Sequence, residues 1–177
     1  MNKKSRRPAS LANIRFRRLA DEKEARVLAG MMARSEPWIT LRRSAADMFE
    51  LLADRALETH VAIADAQLAG VIVVNMKGAF VGYIRGLAVA PEWRSRGIGS
   101  QLLKFAEDRI FRQSPNVFLC VSGFNPRAQR FYRRLGYRRI GELKNYVVDG
   151  ASEILMRKTI GPKVGFKPAR PGSEARR

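Results

Sequence analysis

Residues 90–110 read APEWRSRGIGSQLLKFAEDRI. Gly97 and Gly99 stand one residue apart behind Arg94-Ser95-Arg96, and Ile98, Leu102, Leu103, Ala106 and Ile110 then recur at helical spacing. The spacing predicts a helix that begins inside the glycine pair. The orphan N–H groups of a helix's first turn, together with its dipole, favour an anion there. Glycines remove side chains that would hold an anion off the backbone, and Arg94 and Arg96 add charge. The stretch reads as a phosphate cradle from Arg94 to Ser100, with a pyrophosphate as its natural occupant. A P-loop would need a lysine after the last glycine, where Ser100-Gln101 stands, and a dinucleotide fingerprint would need a small residue at Leu102. The plainer alternative is a strand-to-helix turn with solvated arginines, so the flanking segments have to decide.

Upstream, IRFRRL (14–19) alternates like a strand, and Asp21 followed by Glu24 reads as a helix start with Ala25, Leu28 and Met32 on one face. Glu36-Pro37 ends that helix. Ser44 and Asp47 open a second, carrying Ala45, Met48, Phe49 and Leu52. Three strands follow, at 60–64, 68–76 and 80–90, and their short separators require an antiparallel meander. After the cradle helix, NVFLCVS (116–122) has the continuous apolar character of a strand covered on both faces. Asn125-Pro126 caps and opens another helix, with Ala128, Phe131, Tyr132 and Leu135 along one face and Gly136 at its end. Segments 138–148 and 152–158, joined around Asp149-Gly150, read as a final hairpin. The order β-αα-βββ-α-β-α-ββ implies an α+β fold with a mixed sheet of about seven strands and four flanking helices.

The chain of 177 residues has 34 Lys and Arg against 16 Asp and Glu, a formal charge of +18. Residues 1–11 form a basic tail, and 161–177, rich in Pro, Gly and charge, read as a basic disordered tail, which leaves one domain at 12–160. The body stays basic without its tails, so anionic ligands are favoured. A single cysteine, Cys120, excludes an internal disulfide framework. The N-terminal residues lack the apolar stretch of a secretory signal, and no apolar run approaches a membrane span of about 20 residues. A cytoplasmic protein without membrane attachment is the expectation.

Val89, then Arg94-Ser95-Arg96-Gly97-Ile98-Gly99, then Asn125, Ala128, Phe131-Tyr132 and Gly136-Tyr137 together resemble the two acetyl-CoA motifs of the GCN5-related N-acetyltransferase (GNAT) superfamily. The agreement in spacing and element order covers residues 14–160. The resemblance implies acetyl-CoA as co-substrate and no metal. It implies a bulged strand at 80–90, splayed from 116–122, with the pantetheine arm along Leu87, Ala88 and Val89. Arg94, Ser95, Arg96, Gly97, Ile98, Gly99 and Ser100 would then hold the pyrophosphate, and Asn125 the pantetheine or its own helix. An oxyanion would form near the Val89 N–H, and Tyr132 would be the general acid that protonates the departing sulfur.

The resemblance leaves the general base unassigned. Family members often carry a carboxylate on the strand before the bulge, where this chain has Arg85 and Gly86. Glu36, Glu142 and Asp149 lie in regions that build acceptor sites, though each also reads as a solvated or paired charge. His60 reads as structural. Cys120, expected to be buried, disfavours an acyl-enzyme route. The implied reaction is direct acetyl transfer to a primary amine of a small molecule or peptide, with Trp38, Tyr83, Arg85 and Tyr146 near the acceptor. An arginine there favours an acceptor carrying an anionic group. Two other readings compete: an idle acetyl-CoA-binding protein, motivated by the missing carboxylate, and a basic nucleic-acid binder. The second lacks any aromatic-interleaved basic motif. Nothing in the pattern demands a homodimer, although the strands would allow one.

Overall fold

The computed structural model describes residues 14–168; the expectations for 1–13 and 169–177 lie outside the described residues. Seven strands form one sheet in the order β1-β2-β3-β4-β5-β7-β6. They are β1 (Arg15–Arg18), β2 (Glu58–Ala64), β3 (Gln67–Asn75), β4 (Tyr83–Val89), β5 (Asn116–Ser122), β6 (Arg138–Lys144) and β7 (Ser152–Thr159). Every pairing is antiparallel except β4 with β5. Helices α1 (Glu22–Ala33) and α2 (Ala45–Ala53) precede β2, α3 (Ile98–Ile110) makes the crossover from β4 to β5, and α4 (Pro126–Arg134) follows β5.

Local chemistry starts these elements where the residues predict. Asp21 accepts from the Glu24 N–H, and Ser44 and Asp47 close a reciprocal capping box. Leu28, Met32 and Leu52 pack against Val61, Val71 and Val73 on one face of the sheet. Leu102, Leu103, Ala106 and Ile110 of α3 pack against Ile72, Val74, Ile84, Leu119 and Met156 on the other. Period-2 alternation in the strands thus feeds two apolar layers, the condition for burying both faces of a central sheet.

Two expectations need correction. The final hairpin strand ends at Lys144, not at 148, because Asn145 turns to φ 53° and its side chain accepts from the Gly150 N–H at 2.9 Å, so residues 145–151 form the loop. Segment 116–122 is fully covered on one face and only partly on the other: Val117, Leu119 and Val121 are buried, whereas on the opposite face Phe118 and Cys120 are half-buried and Ser122 is buried. His60 is buried edge-on against Phe105, at 5.1 Å between ring centroids, and burial lowers its pKa.

The start of β4 fixes where the sheet opens. Gly82 has φ +87°, and a Cβ there would lie 2.4 Å from Ile110 Cγ2 and 2.7 Å from the Asn116 carbonyl oxygen. Only glycine fits this approach, and the Gly82 carbonyl accepts from the Phe118 N–H at 3.0 Å.

Past β7 the Ile160 N–H donates to the Pro115 carbonyl at 3.0 Å, and beyond it Val164 is 91% exposed. Deleting residues 161–177 is therefore expected to shift the melting midpoint by no more than about 2 °C, the scale of surface changes in a chain this size. A loss of several degrees in a calorimetric scan would show that the segment is packed.

Candidate active site

β4 and β5 pair at only two positions, Tyr83 with Phe118 and Ile84 with Leu119. Past them the register of β4 against β3 jumps from Ile84 opposite Val74 to Gly86 opposite Val73, which leaves Arg85 as the extra residue of a β-bulge. From Gly86 to Val89, β4 has no strand partner on its β5 side, so the two strands enclose a wedge. A cleft of about 1410 Å³ runs through it, from the first turn of α3 past α4 to the loop after α1. The bulge expected in 80–90 is present, and Leu87, Ala88 and Val89 all line the opening.

α3 alone among the four helices begins with no side-chain cap. Its N-cap is Gly97 at φ 79°, preceded by Ser95 at φ 62°, and the N–H groups of Ile98, Gly99 and Ser100 meet no backbone acceptor. A Cβ on Gly99 would sit 3.5 Å from Val89 Cγ2 and 3.7 Å from Phe131 Cζ, ordinary contact distances. The protein's own packing therefore does not demand glycine at 99. The two arginines lie differently. Arg94 Nε donates to the Val89 carbonyl at 3.0 Å and its Nη2 to Ser35 Oγ at 2.9 Å, which ties the cradle loop to β4 and to the end of α1. Arg96 lies over the Trp93 ring at 5.0 Å.

On the α3 side of the sheet, Asn125 Oδ1 accepts from the Ala128 N–H at 3.0 Å and caps α4. The cap holds Tyr132 against the rings of Phe131 and Tyr137, at 5.1 and 5.6 Å between centroids. Tyr132 lines the cleft, and its hydroxyl donates to no acceptor among the described residues. Loss of water around the ring pushes the phenol above its ordinary pKa, so it stays protonated. α4 also brings Arg127, Arg130 and Arg134 to the cleft wall.

The opposite face of the opening carries Tyr83, Cys120, Ser122 and Glu153. Cys120, expected to be buried, is half-buried and lines the cleft, because β4 has diverged beside it. Burial raises its pKa, which keeps it a thiol rather than a nucleophile. Ser122 pairs directly with Glu153 across β5 and β7, and its Oγ donates to Glu153 Oε1 at 2.7 Å. Glu153 is only 5% exposed, yet it lines the cleft.

Sequence reasoning passed over Glu153. The signal was available in the hairpin: within SEILMRK the alternation puts Glu153 in phase with Leu155 and out of phase with Ile154 and Met156. Of the three acids considered instead, Glu36 lines the cleft but accepts from Thr40 Oγ1 at 3.0 Å. Glu142 is exposed and ion-paired with Arg139, and Asp149 is exposed on the hairpin loop. Trp38, Tyr83, Arg85 and Tyr146 do line one cleft. No three His, Cys, Asp or Glu side chains among the described residues cluster to hold a metal ion, and no described helix is long and apolar enough to cross a membrane.

Comparison with known proteins agrees with this geometry. Residues 25–137 match the Acetyltransferase (GNAT) family. An uncharacterized N-acetyltransferase of Methanocaldococcus jannaschii is 40% identical over 101 residues, which is 56% of this chain and 64% of that protein. The N-alpha-acetyltransferase RimI of Mycobacterium tuberculosis is 32% identical over 94 residues, 52% of this chain and 58% of its own length. The chain thus aligns with less than two thirds of either relative. An aminoglycoside 6'-N-acetyltransferase complexed with coenzyme A superposes with a TM-score of 0.66 at 20% identity, covering 87% of this chain and 99% of that one; it shares the fold.

Proposed function

This chain belongs to the acetyltransferase (GNAT) family, and from that premise we propose that it moves an acetyl group directly from the acetyl-CoA thioester to a primary amine of a small molecule or peptide. The observation that carries the reading is the parting of β4 and β5 after Ile84 beside a helix whose first amides are free. The open edge of β4 at Leu87, Ala88 and Val89 suits an extended amide-bearing arm. The amides of Ile98, Gly99 and Ser100 suit the pyrophosphate, in a loop that Arg94 braces and Ser95, Arg96 and Gly97 shape. Asn125 serves the site by capping the helix that carries Tyr132.

In this scheme a neutral amine attacks the thioester carbon and forms the C–N bond, and the carbonyl electron pair moves onto oxygen near the Val89 N–H. A fixed donor at such an oxyanion is worth about 3 kcal/mol. Collapse breaks the C–S bond, and Tyr132 gives its proton to sulfur. The phenolate then takes the surplus proton from the amide nitrogen, so CoA leaves as a thiol. The half-buried thiol of Cys120 takes no part.

Arg85 on the bulge favours an acceptor that bears a carboxylate or another anion near its amine, and disfavours polyamines. The test is CoA thiol release from acetyl-CoA with a panel of primary amines, namely amino acids, peptides with free N-termini, and uncharged and polycationic amines. Release above background hydrolysis is expected, strongest with anionic acceptors. Tight acetyl-CoA binding with no release across the panel would instead make the protein an idle acetyl-CoA binder.

A further inference from the structure

We propose that Glu153 is the proton acceptor of this site, taking the proton from the acceptor's ammonium through its free oxygen, Oε2, while Ser122 pins the other oxygen. The inference rests on the transfer reading above, and it fills the role that the β4 strand leaves empty at Arg85 and Gly86.

Strand parity places the two proton-handling groups. Leu119, Val121, Ile154 and Met156 belong to the layer packed under α3 and α4, and Tyr132 packs against that same layer. Alternation along β5 and β7 therefore turns Cys120, Ser122, Glu153 and Leu155 to the other face, the one covered elsewhere by α1 and α2. Tyr83 lies on this face too, because its neighbour Ile84 packs in the α3 layer. A thioester threaded between β4 and β5 would have the acid on one side of the sheet and Glu153 on the other. Direct transfer needs that arrangement: the amine loses its proton where it enters, and the sulfur gains one where it leaves.

The state of the carboxylate also fits. A buried carboxylate with no basic partner is costly, so one retained at 5% exposure calls for an explanation. Glu153 has no ion pair among the described residues, and its one hydrogen bond is the 2.7 Å contact from Ser122 to Oε1. Oε2 accepts nothing, and it is not among the sealed unpartnered atoms, as Glu58 Oε2 and Glu107 Oε1 are. It faces the cleft. Independently, burial raises the pKa of Glu153 despite the Ser122 bond, which moves the group toward that of a base working near neutral pH.

The step balances simply. Glu153 carboxylate and the substrate ammonium become a carboxylic acid and a neutral amine; transfer proceeds as above, and Glu153 returns its proton to solvent after the amide departs.

Glu153→Gln is the variant to make. Glutamine keeps an oxygen for Ser122 and removes a desolvated acid, so the fold and acetyl-CoA affinity are expected to stay intact. For a strongly basic alkylamine acceptor, protonated at pH 7, turnover should fall about 100-fold or more. For hydroxylamine, already neutral at that pH, the deficit should shrink to less than about 10-fold, the part of the effect that does not depend on removing that proton. Equal losses for both acceptors would mean that Glu153 only shapes the pocket, and an unchanged alkylamine rate would also overturn the proposal. A second readout needs no turnover. In protein labelled with carboxyl-13C glutamate, the resonance missing from the variant should titrate above the ordinary carboxylate range and shift when the alkylamine is added. A resonance that neither titrates between pH 4 and 9 nor responds to amine would show a sealed structural carboxyl. If wild-type protein transfers to no amine, the transfer reading fails, and the resonance still decides whether Glu153 is an open proton acceptor.

Discussion

Tyr132→Phe is expected to lower turnover by about 100- to 10,000-fold, the range that a positioned general acid contributes, and to leave acetyl-CoA affinity unchanged. The substitution removes only the hydroxyl. The ring keeps its edge-on contacts with Phe131 and Tyr137, and the hydroxyl forms no bond to another described residue whose loss would be felt. Stability should therefore hold within about 0.5 kcal/mol, as for changes that break no buried partner. Desolvation keeps the wild-type phenol protonated above its ordinary range, so its contribution as a donor should persist through alkaline assay conditions. Single-turnover acetyl transfer is the measurement, because it isolates chemistry from product release. A variant that transfers at the wild-type rate there would remove Tyr132 from the reaction.

What was legible in the residues was mostly local. Asp21 with Glu24, Ser44 with Asp47, and Asn125 with Pro126 each act over three residues or fewer, and each cap forms as read. Short separators between β2, β3 and β4 left no room for a crossover, so the meander followed from geometry. The bulge came from family resemblance; nothing in Tyr83-Ile84-Arg85-Gly86 marks it otherwise. Glu153 escaped because its meaning depends on register across thirty residues: only the pairing of β5 with β7 sets it beside Ser122 and at the opening. Cys120 was misplaced for a related reason. An apolar run says that a strand can be covered on both faces, whereas the divergence of its neighbour determines whether it is. Arg94 is a third case. Its partner Ser35 lies 59 residues away, so a charge read as facing the ligand turns out to brace the loop that would hold it.

The glycine pair can be separated into a residue that shapes the loop and one that leaves space. Gly99→Leu is expected to weaken CoA binding by about 100-fold or more, equivalent to about 2.7 kcal/mol, while the melting midpoint stays level or rises. Residue 99 lies in the first turn of α3 without a positive φ, and its Cβ would meet Val89 and Phe131 only at 3.5 and 3.7 Å. Helix propensity favours leucine over glycine by about 0.5–1 kcal/mol, so the free protein gains slightly. The longer side chain must then extend beside the amides of Ile98, Gly99 and Ser100, where the pyrophosphate would sit. Gly97→Leu behaves differently, because φ 79° costs a β-carbon about 1–2 kcal/mol; it should lose stability as well as binding. Calorimetric titration of CoA alongside thermal melts of both variants tests the distinction. Retained affinity in Gly99→Leu would mean that the space beside the α3 amides belongs to no ligand, and the cradle reading would fall with it.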